Sequence, residues 1–296
     1  MKTQNYRLTA FRATFIAAIM LMAAGLAYGA DLAEIKERGV LRHLGIPYAN
    51  FVTGSGDGLD VEMVKRFAAD LMVRYMHVET DWGNVIGDLS GKKIKPMGDN
   101  MEVLGDVPVK GDLIACGLTV LPWRKKAVSF SAPTFPTQIW LVARADSHLK
   151  PIQPAGDPNK DVAAVKALLK GHNVLGVADT CLDPSQYGLK EAEAEIRYYQ
   201  GNLNELVPAI MKGDAESVLQ DAGDALVALE KWPGKIKVIG PVSPLQEMAF
   251  AFPMDAPELR AAFNRFFEKC RKDGTYTQLV RKYYPAAFTF FPDFFK

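Results

Sequence analysis

Gly117–Pro133 reads GLTVLPWRKKAVSFSAP. Arg124 stands five residues after Thr119, beyond a tight turn at Pro122, and a short apolar strand then runs into Ser131-Ala-Pro133. A guanidinium and a hydroxyl held this way suit a carboxylate, because the planar fork of arginine donates two parallel hydrogen bonds. The stretch follows Leu113–Leu118, an uncharged run that reads as a buried strand. An anion clamp at the end of a sheet strand is therefore the first expectation.

Outward from this stretch the chain alternates short apolar strands with amphipathic helices. Asp31–Arg38 reads as a helix stopped by Gly39, Val40–Ile46 as a strand, and Gly54–Gly58 as a flexible loop. Asp60 reads as the cap of a helix that places Val64, Phe67, Ala68, Leu71 and Tyr75 on one face. His77–Thr80 reads as a strand and Trp82–Leu89 as a helix. Gly91–Lys110, rich in Lys, Gly, Met and Asp, reads as a long exposed loop. The pattern then repeats: strands over Thr137–Arg144, Asn173–Ala178, Ile196–Gln200, Ser217–Gln220, Lys235–Gly240 and Met248–Phe252, with helices between. Pro257–Lys272 and Thr275–Tyr283 close the chain as helices, Pro257 standing near the first helical position. Alternation of this kind predicts parallel sheets covered by helices. Residues 30–140 with 248–296 make one α/β lobe and 141–247 a second, joined by two strand crossings that act as a hinge over a cleft.

The first 29 residues carry Lys2, Arg7 and Arg12, an apolar run over Ala10–Ala27, and small residues before Asp31. This is the pattern of a secretory signal peptide cut before Ala30, and it predicts an exported, periplasmic protein. The 296-residue chain has a formal charge of +1. Without residues 1–29 it has 32 basic and 34 acidic side chains, or −2, a balance that argues against nucleic acid as partner. The three cysteines, Cys116, Cys181 and Cys270, form no disulfide framework, and the four histidines do not cluster. Neither a metal nor a cofactor is expected.

Four pieces in order resemble the extracellular solute-binding proteins of family 3, the polar amino-acid-binding receptors of bacterial ABC transporters. They are Val40–Phe51, Gly58–Met63, Gly111–Arg124 with Val128–Pro133, and Lys272–Tyr276 with Lys282–Tyr284. The resemblance covers nearly the whole chain after the export signal. It implies a two-lobed periplasmic-binding-protein fold of type II that closes over a small carboxylate-bearing solute and, as a monomer, delivers it to a membrane permease. It places Arg124 on the ligand's carboxylate, with Thr119 donating beside it and Gly117, Thr180 and Cys181 lining the same site. Tyr48 and Phe51 are placed as walls of the side-chain pocket, and Asp221 as acceptor of the ligand's ammonium. Alternative readings are a sensor or accessory binding protein, or a cyclohexadienyl-dehydratase-like enzyme using Asp179, Asp183 or Asp221.

This chain departs from the family pattern at two points. Cys181 and Leu182 stand where hydroxyl residues are common, and no acidic residue lies between Leu44 and Tyr48 to hold an ammonium. Both departures point away from a standard α-amino acid.

Overall fold

Asp31 sets the first helix. In the computed structural model, which describes residues 30–295, the Asp31 carboxylate accepts from the Leu32 amide while Glu34 accepts from the Asp31 amide, a capping box at the head of α1 (Leu32–Arg38). Gly39 ends α1 in the left-handed region and turns the chain into β1 (Val40–Gly45). The expected signal peptide lies outside the described residues. No described helix is long and apolar enough to cross a membrane.

Two five-stranded sheets make the two lobes. In the first, β1 lies between β2 (Arg74–Glu79) and β5 (Leu113–Ile114), parallel to both, and β14 (Ala251–Phe252) runs antiparallel between β5 and β6 (Ser129–Phe130). In the second, β9 (Asn173–Gly176) is parallel to β10 (Glu195–Tyr198) and β11 (Ser217–Asp221). There β8 (Ile139–Arg144) runs antiparallel between β11 and β12 (Ile236–Pro241). The expectation of purely parallel sheets is thus corrected. Each sheet takes one long-range strand, β8 or β14, that arrives from the other lobe and therefore runs against its neighbours. Between the sheets, β7 (Phe135–Thr137) and β13 (Gln246–Met248) pair antiparallel, so both crossings travel as one short ribbon.

The helices cover these sheets. α2 (Leu59–Asp70) packs its apolar face beneath the terminal α8 (Pro257–Lys272), where Phe67 meets Phe263 and Phe266. The chain ends through α9 (Thr275–Tyr283) and α10 (Ala287–Phe290), and its aromatic tail is packed: Phe295 contacts Phe135, Tyr276 and Phe288, and Phe291 stacks on Trp140. All three cysteines are buried free thiols.

Three further expectations are corrected. Lys92–Met97 and Asn100–Asp106 form a hairpin, β3 and β4, where a loop was expected. Most of its side chains are exposed, and its apolar pairs, Ile94 with Val103 and Pro96 with Met101, are few and interleaved with lysines and glycines; the Lys92–Asp106 ion pair joins the strands at the end away from the turn. The helix α2 starts at Leu59 with Gly58 at its cap, which leaves Asp60 buried inside the first turn and Tyr75 on β2. The third strand stops at Ile114, and the Pro122 turn is α4 (Pro122–Ala127), with Arg124 inside it.

One buried carboxylate pins α1 to the first sheet. Asp112 is fully buried, pairs with Arg38 at 2.5 Å and with Arg42 at 2.8 Å, and also accepts from the Arg42 amide. Removing it strands two cations and an amide. Asp112→Ala should cost about 3 kcal/mol, read as a lower urea midpoint at unchanged slope.

Candidate functional site

Gly117 is where the first lobe turns toward its partner. Its φ of +65° favours glycine, and an added Cβ would lie 2.5 Å from the Phe51 ring. Its amide donates to Asp60 Oδ2 at 2.7 Å. That bond explains the buried Asp60, whose carboxyl is pushed up to about 7 by burial, with the Gly117 amide opposing. Thr119 then bridges to Met248 on β13, so the strand returning from the second lobe fixes its backbone.

Arg124 is 3% exposed. Its Nη1 donates to the Thr119 carbonyl at 2.8 Å, and its Nε has no hydrogen-bond partner. The Thr119 hydroxyl is also buried, set against the Cys181 thiol, a weak hydrogen-bonding group, and meets no stronger partner. Among the described residues, no ion pair joins Arg124 to a carboxylate. Its electrostatic neighbours are the thiols of Cys181 and Cys116 and the hydroxyl of Tyr187, and burial pulls its pKa down. Cys181 is contributed by the second lobe. Its thiol is pushed up to about 11 by burial and by Asp221, with Arg124 opposing. Burial likewise raises Cys116. Both sulfurs are therefore neutral thiols, and neither supplies a counter-charge. An open cavity of about 510 Å³ is lined by Trp82, Trp123 and Asp179, with Thr119, Arg124 and Cys181 outside its lining.

Thr180 props the second-lobe loop. Its hydroxyl donates to the Val177 carbonyl at 2.8 Å and accepts from the Leu182 amide at 3.0 Å. Asp183 caps a short 3-10 turn, accepting from the Ser185 amide. Tyr187, which sequence reasoning missed, donates to the Cys181 carbonyl and faces Arg124.

Tyr48 and Asp221 meet each other. The Tyr48 hydroxyl donates to Asp221 Oδ2 in a buried bond between the lobes, while Asp221 Oδ1 accepts from the Asp224 amide at 3.0 Å and caps α7 (Ala222–Lys231). Burial pushes the Asp221 carboxyl up to about 6, and the Tyr48 bond opposes that rise. In the described conformation Asp221 is fully buried and engaged by the protein, where an opening to a ligand ammonium was expected. Phe51 is also fully buried, packed on Phe135 and Tyr284 and against Gly117 and Gly223. Asn204 adds two interlobe bonds, from its Nδ2 to the Pro47 carbonyl at 2.9 Å and from the Ala49 amide to its Oδ1 at 3.1 Å. The sequence-predicted residues thus fall into two groups. Thr119, Arg124 and Cys181 form one, with Thr180 bracing its loop, and Tyr48 with Asp221 forms the other. Phe51 and Gly117 pack at the centre of the lobe contact.

Residues 109–286 match the bacterial extracellular solute-binding proteins, family 3. The chain belongs to this family. The histidine-binding periplasmic protein of Salmonella typhimurium is 25% identical over 237 residues, 77% of this chain and 78% of that protein. Membrane-bound lytic murein transglycosylase F of Pseudomonas putida is 25% identical over 272 residues, 90% of this chain but 50% of that protein. Its namesake from Desulfosudis oleivorans matches over 183 residues, 37% of its length, so the chain spans half or less of either transglycosylase. Among solved structures, a mutant of ArgBP from T. maritima overlays with a TM-score of 0.67 at 23% identity, covering 86% of this chain and 99% of that one. The ancestral amino acid-binding protein AncCDT-1, a precursor of cyclohexadienyl dehydratase, overlays at 0.64 and 24% identity, covering 86% and 98%. These overlays show the two-lobed type II periplasmic-binding-protein fold.

Asp60 gives the site a pH signature. Its folded pKa lies above its unfolded value, so the folded state binds the proton more tightly. Its contribution is then greatest at low pH and is lost as pH rises from about 4 to about 7. Asp60→Asn keeps an acceptor for Gly117 and should remove this contribution, so that its melting temperature changes less unfavourably than the parent's as pH rises over that window. The slope that remains is the balance between Asp221 and Asp224, whose carboxyls burial also raises, and His43, which burial holds down to about 3 and which adds stability as pH rises.

Proposed function

We propose that this chain is a periplasmic solute-binding protein that captures a small carboxylate-bearing solute between its lobes and presents it, as a monomer, to an ABC-transporter permease. The division at 30–140 with 248–296 and 141–247 is the working unit of this reading, and the export signal at residues 1–29 brings it to the periplasm. One observation carries the assignment: Arg124 is a buried guanidinium with an unbonded Nε, beside an unbonded Thr119 hydroxyl and no carboxylate. A buried charge without a partner is costly, and an incoming anion removes that cost. Thr119 and Arg124 on one lobe and the Thr180–Cys181 loop on the other surround the anion. Gly117 holds the turn that lets Phe51 fill the space behind it.

Closure is the working step. The Tyr48–Asp221 bond and the two Asn204 bonds already join the lobes. An anion on Arg124 adds a contact that exists only when the lobes meet, and so shifts the population toward the closed form that a permease recognises. We read the chain as a binding protein rather than an enzyme. The buried acids nearest the cleft, Asp60 and Asp221, are each held by hydrogen bonds from the protein's own amides and, at Asp221, from Tyr48.

A thermal-shift screen of amino acids, di-acids, aromatic acids and amines should find carboxylates that raise the melting temperature by mass action. Arg124→Ala should weaken such a carboxylate by about 1.5–3 kcal/mol, roughly ten- to a hundredfold. The unliganded variant should be as stable as the parent or more so, because an uncompensated buried cation has gone. Undiminished affinity in calorimetry would sink the assignment.

A further inference from the structure

The buried polar atoms left without a partner describe what is missing from the cleft. Among the described residues, the unpaired buried side-chain atoms are Arg124 Nε, Thr119 Oγ1, Thr137 Oγ1, Gln220 Oε1 and Gln246 Oε1. One belongs to a cation and four are neutral oxygens. No carboxylate oxygen is among them. A site made for a zwitterionic amino acid needs both an orphaned cation for the carboxylate and an orphaned anion for the ammonium. Among the buried side chains of the described residues, only the first is present.

The reason lies in Tyr48. Asp221, at the C-terminal end of β11, is the carboxylate that faces the first lobe, and the Tyr48 hydroxyl reaches it from that lobe. Its other oxygen takes the Asp224 amide, and the Gly223 amide also donates to it. A phenol therefore stands where a ligand's N–H donor would have to stand, and it is neutral: burial and the charges of Asp221 and Asp224 hold its proton on. Asn204 fastens the same loop through Pro47 and Ala49, on either side of Tyr48. An ammonium entering this space would have to displace a buried hydrogen bond and part the lobes around it.

We propose that Tyr48 supplies from the protein the donor that an α-ammonium would supply from a ligand, so that the cleft selects carboxylic acids without an α-amino group over the amino acids of the same skeleton. The proposal rests on the anion site at Arg124 and goes beyond it by naming the substrate class and the residue that sets it. The selection is a matter of unpaired groups: an ammonium desolvated at Asp221 finds no unpaired carboxylate among the buried side chains.

The test uses the processed full chain and matched acids: glutarate against glutamate, isocaproate against leucine, hydrocinnamate against phenylalanine. The wild type should bind at least one des-amino acid tenfold or more tighter than its amino acid by calorimetry. Tyr48→Phe, which keeps the ring and frees Asp221 Oδ2, should gain affinity for the amino acid, and adding Asp221→Asn should abolish that gain. An amino acid held as tightly as its des-amino partner by the wild type, and lost in Arg124→Ala, overturns this proposal and leaves the anion site standing. A folded Tyr48→Phe protein that keeps the wild-type preference also overturns it. Failure of every pair to bind the wild type overturns the anion site and this proposal together. The wild-type comparison needs no variant, so it decides whatever Tyr48→Phe does to folding.

Discussion

A guanidinium buried without a counter-ion is the constraint around which the cleft is arranged. Arg124 sits in the middle of the six-residue α4, and its one hydrogen bond goes to the Thr119 carbonyl. That carbonyl is held in turn by the bridge from Thr119 to Met248, on the strand returning from the second lobe. Upstream, the Gly117 amide is tied to Asp60 on α2. The guanidinium is thus fixed by the first sheet, the first helix against it and the hinge ribbon at once. Its position therefore reports on how the lobes stand relative to each other.

The second constraint is the crowding of acids on the other side of the contact. Asp221 and Asp224 lie within one helical turn and both are buried. Burial and the neighbouring Asp221 charge raise Asp224 far above its usual value, so it holds its proton and takes a bond from Gln220. Asp221 keeps the lower pKa of the pair because Tyr48 and the amides of α7 donate to its ionised form. The charge of the pair is set within the contact between the lobes, and the Asp221 charge in turn helps to raise the Cys181 thiol beside Arg124.

What could be read from sequence follows the range of each interaction. α8 and α9 were legible to the residue, because amphipathic period, Pro257 and Gly274 are all local signals. The closeness of Thr119 and Arg124 follows from their five-residue spacing, but the bond between them, from the guanidinium to the Thr119 carbonyl, was not expected from sequence, which put both on a ligand. The hairpin β3–β4 was not legible, since its alternating apolar pairs, Ile94 with Val103 and Pro96 with Met101, are few and embedded in Lys, Asp and Gly. Asp60 looked like a cap because a carboxylate near a helix start usually is one, but its partner is an amide 57 residues away. The Tyr48–Asp221 bond spans 173 residues, and each residue alone is equally consistent with a pocket wall or a ligand acceptor. Only the folded chain shows that they consume each other.

The thiols around Arg124 follow from the same logic. A thiol is a weak donor and a weak acceptor, and burial keeps Cys116 and Cys181 protonated. They sit beside the guanidinium without pairing with it, as carboxylates would, and without offering an anion the strong bond of a hydroxyl. The Thr180 hydroxyl is already spent on its own loop. On the proposed reading, recognition of an anion would therefore concentrate on Arg124 and the Thr119 hydroxyl. With the Asp221 carboxylate spent on Tyr48, the buried polar atoms that remain, Arg124 Nε and the Thr119 hydroxyl, would serve one carboxylate and leave an ammonium without an acceptor.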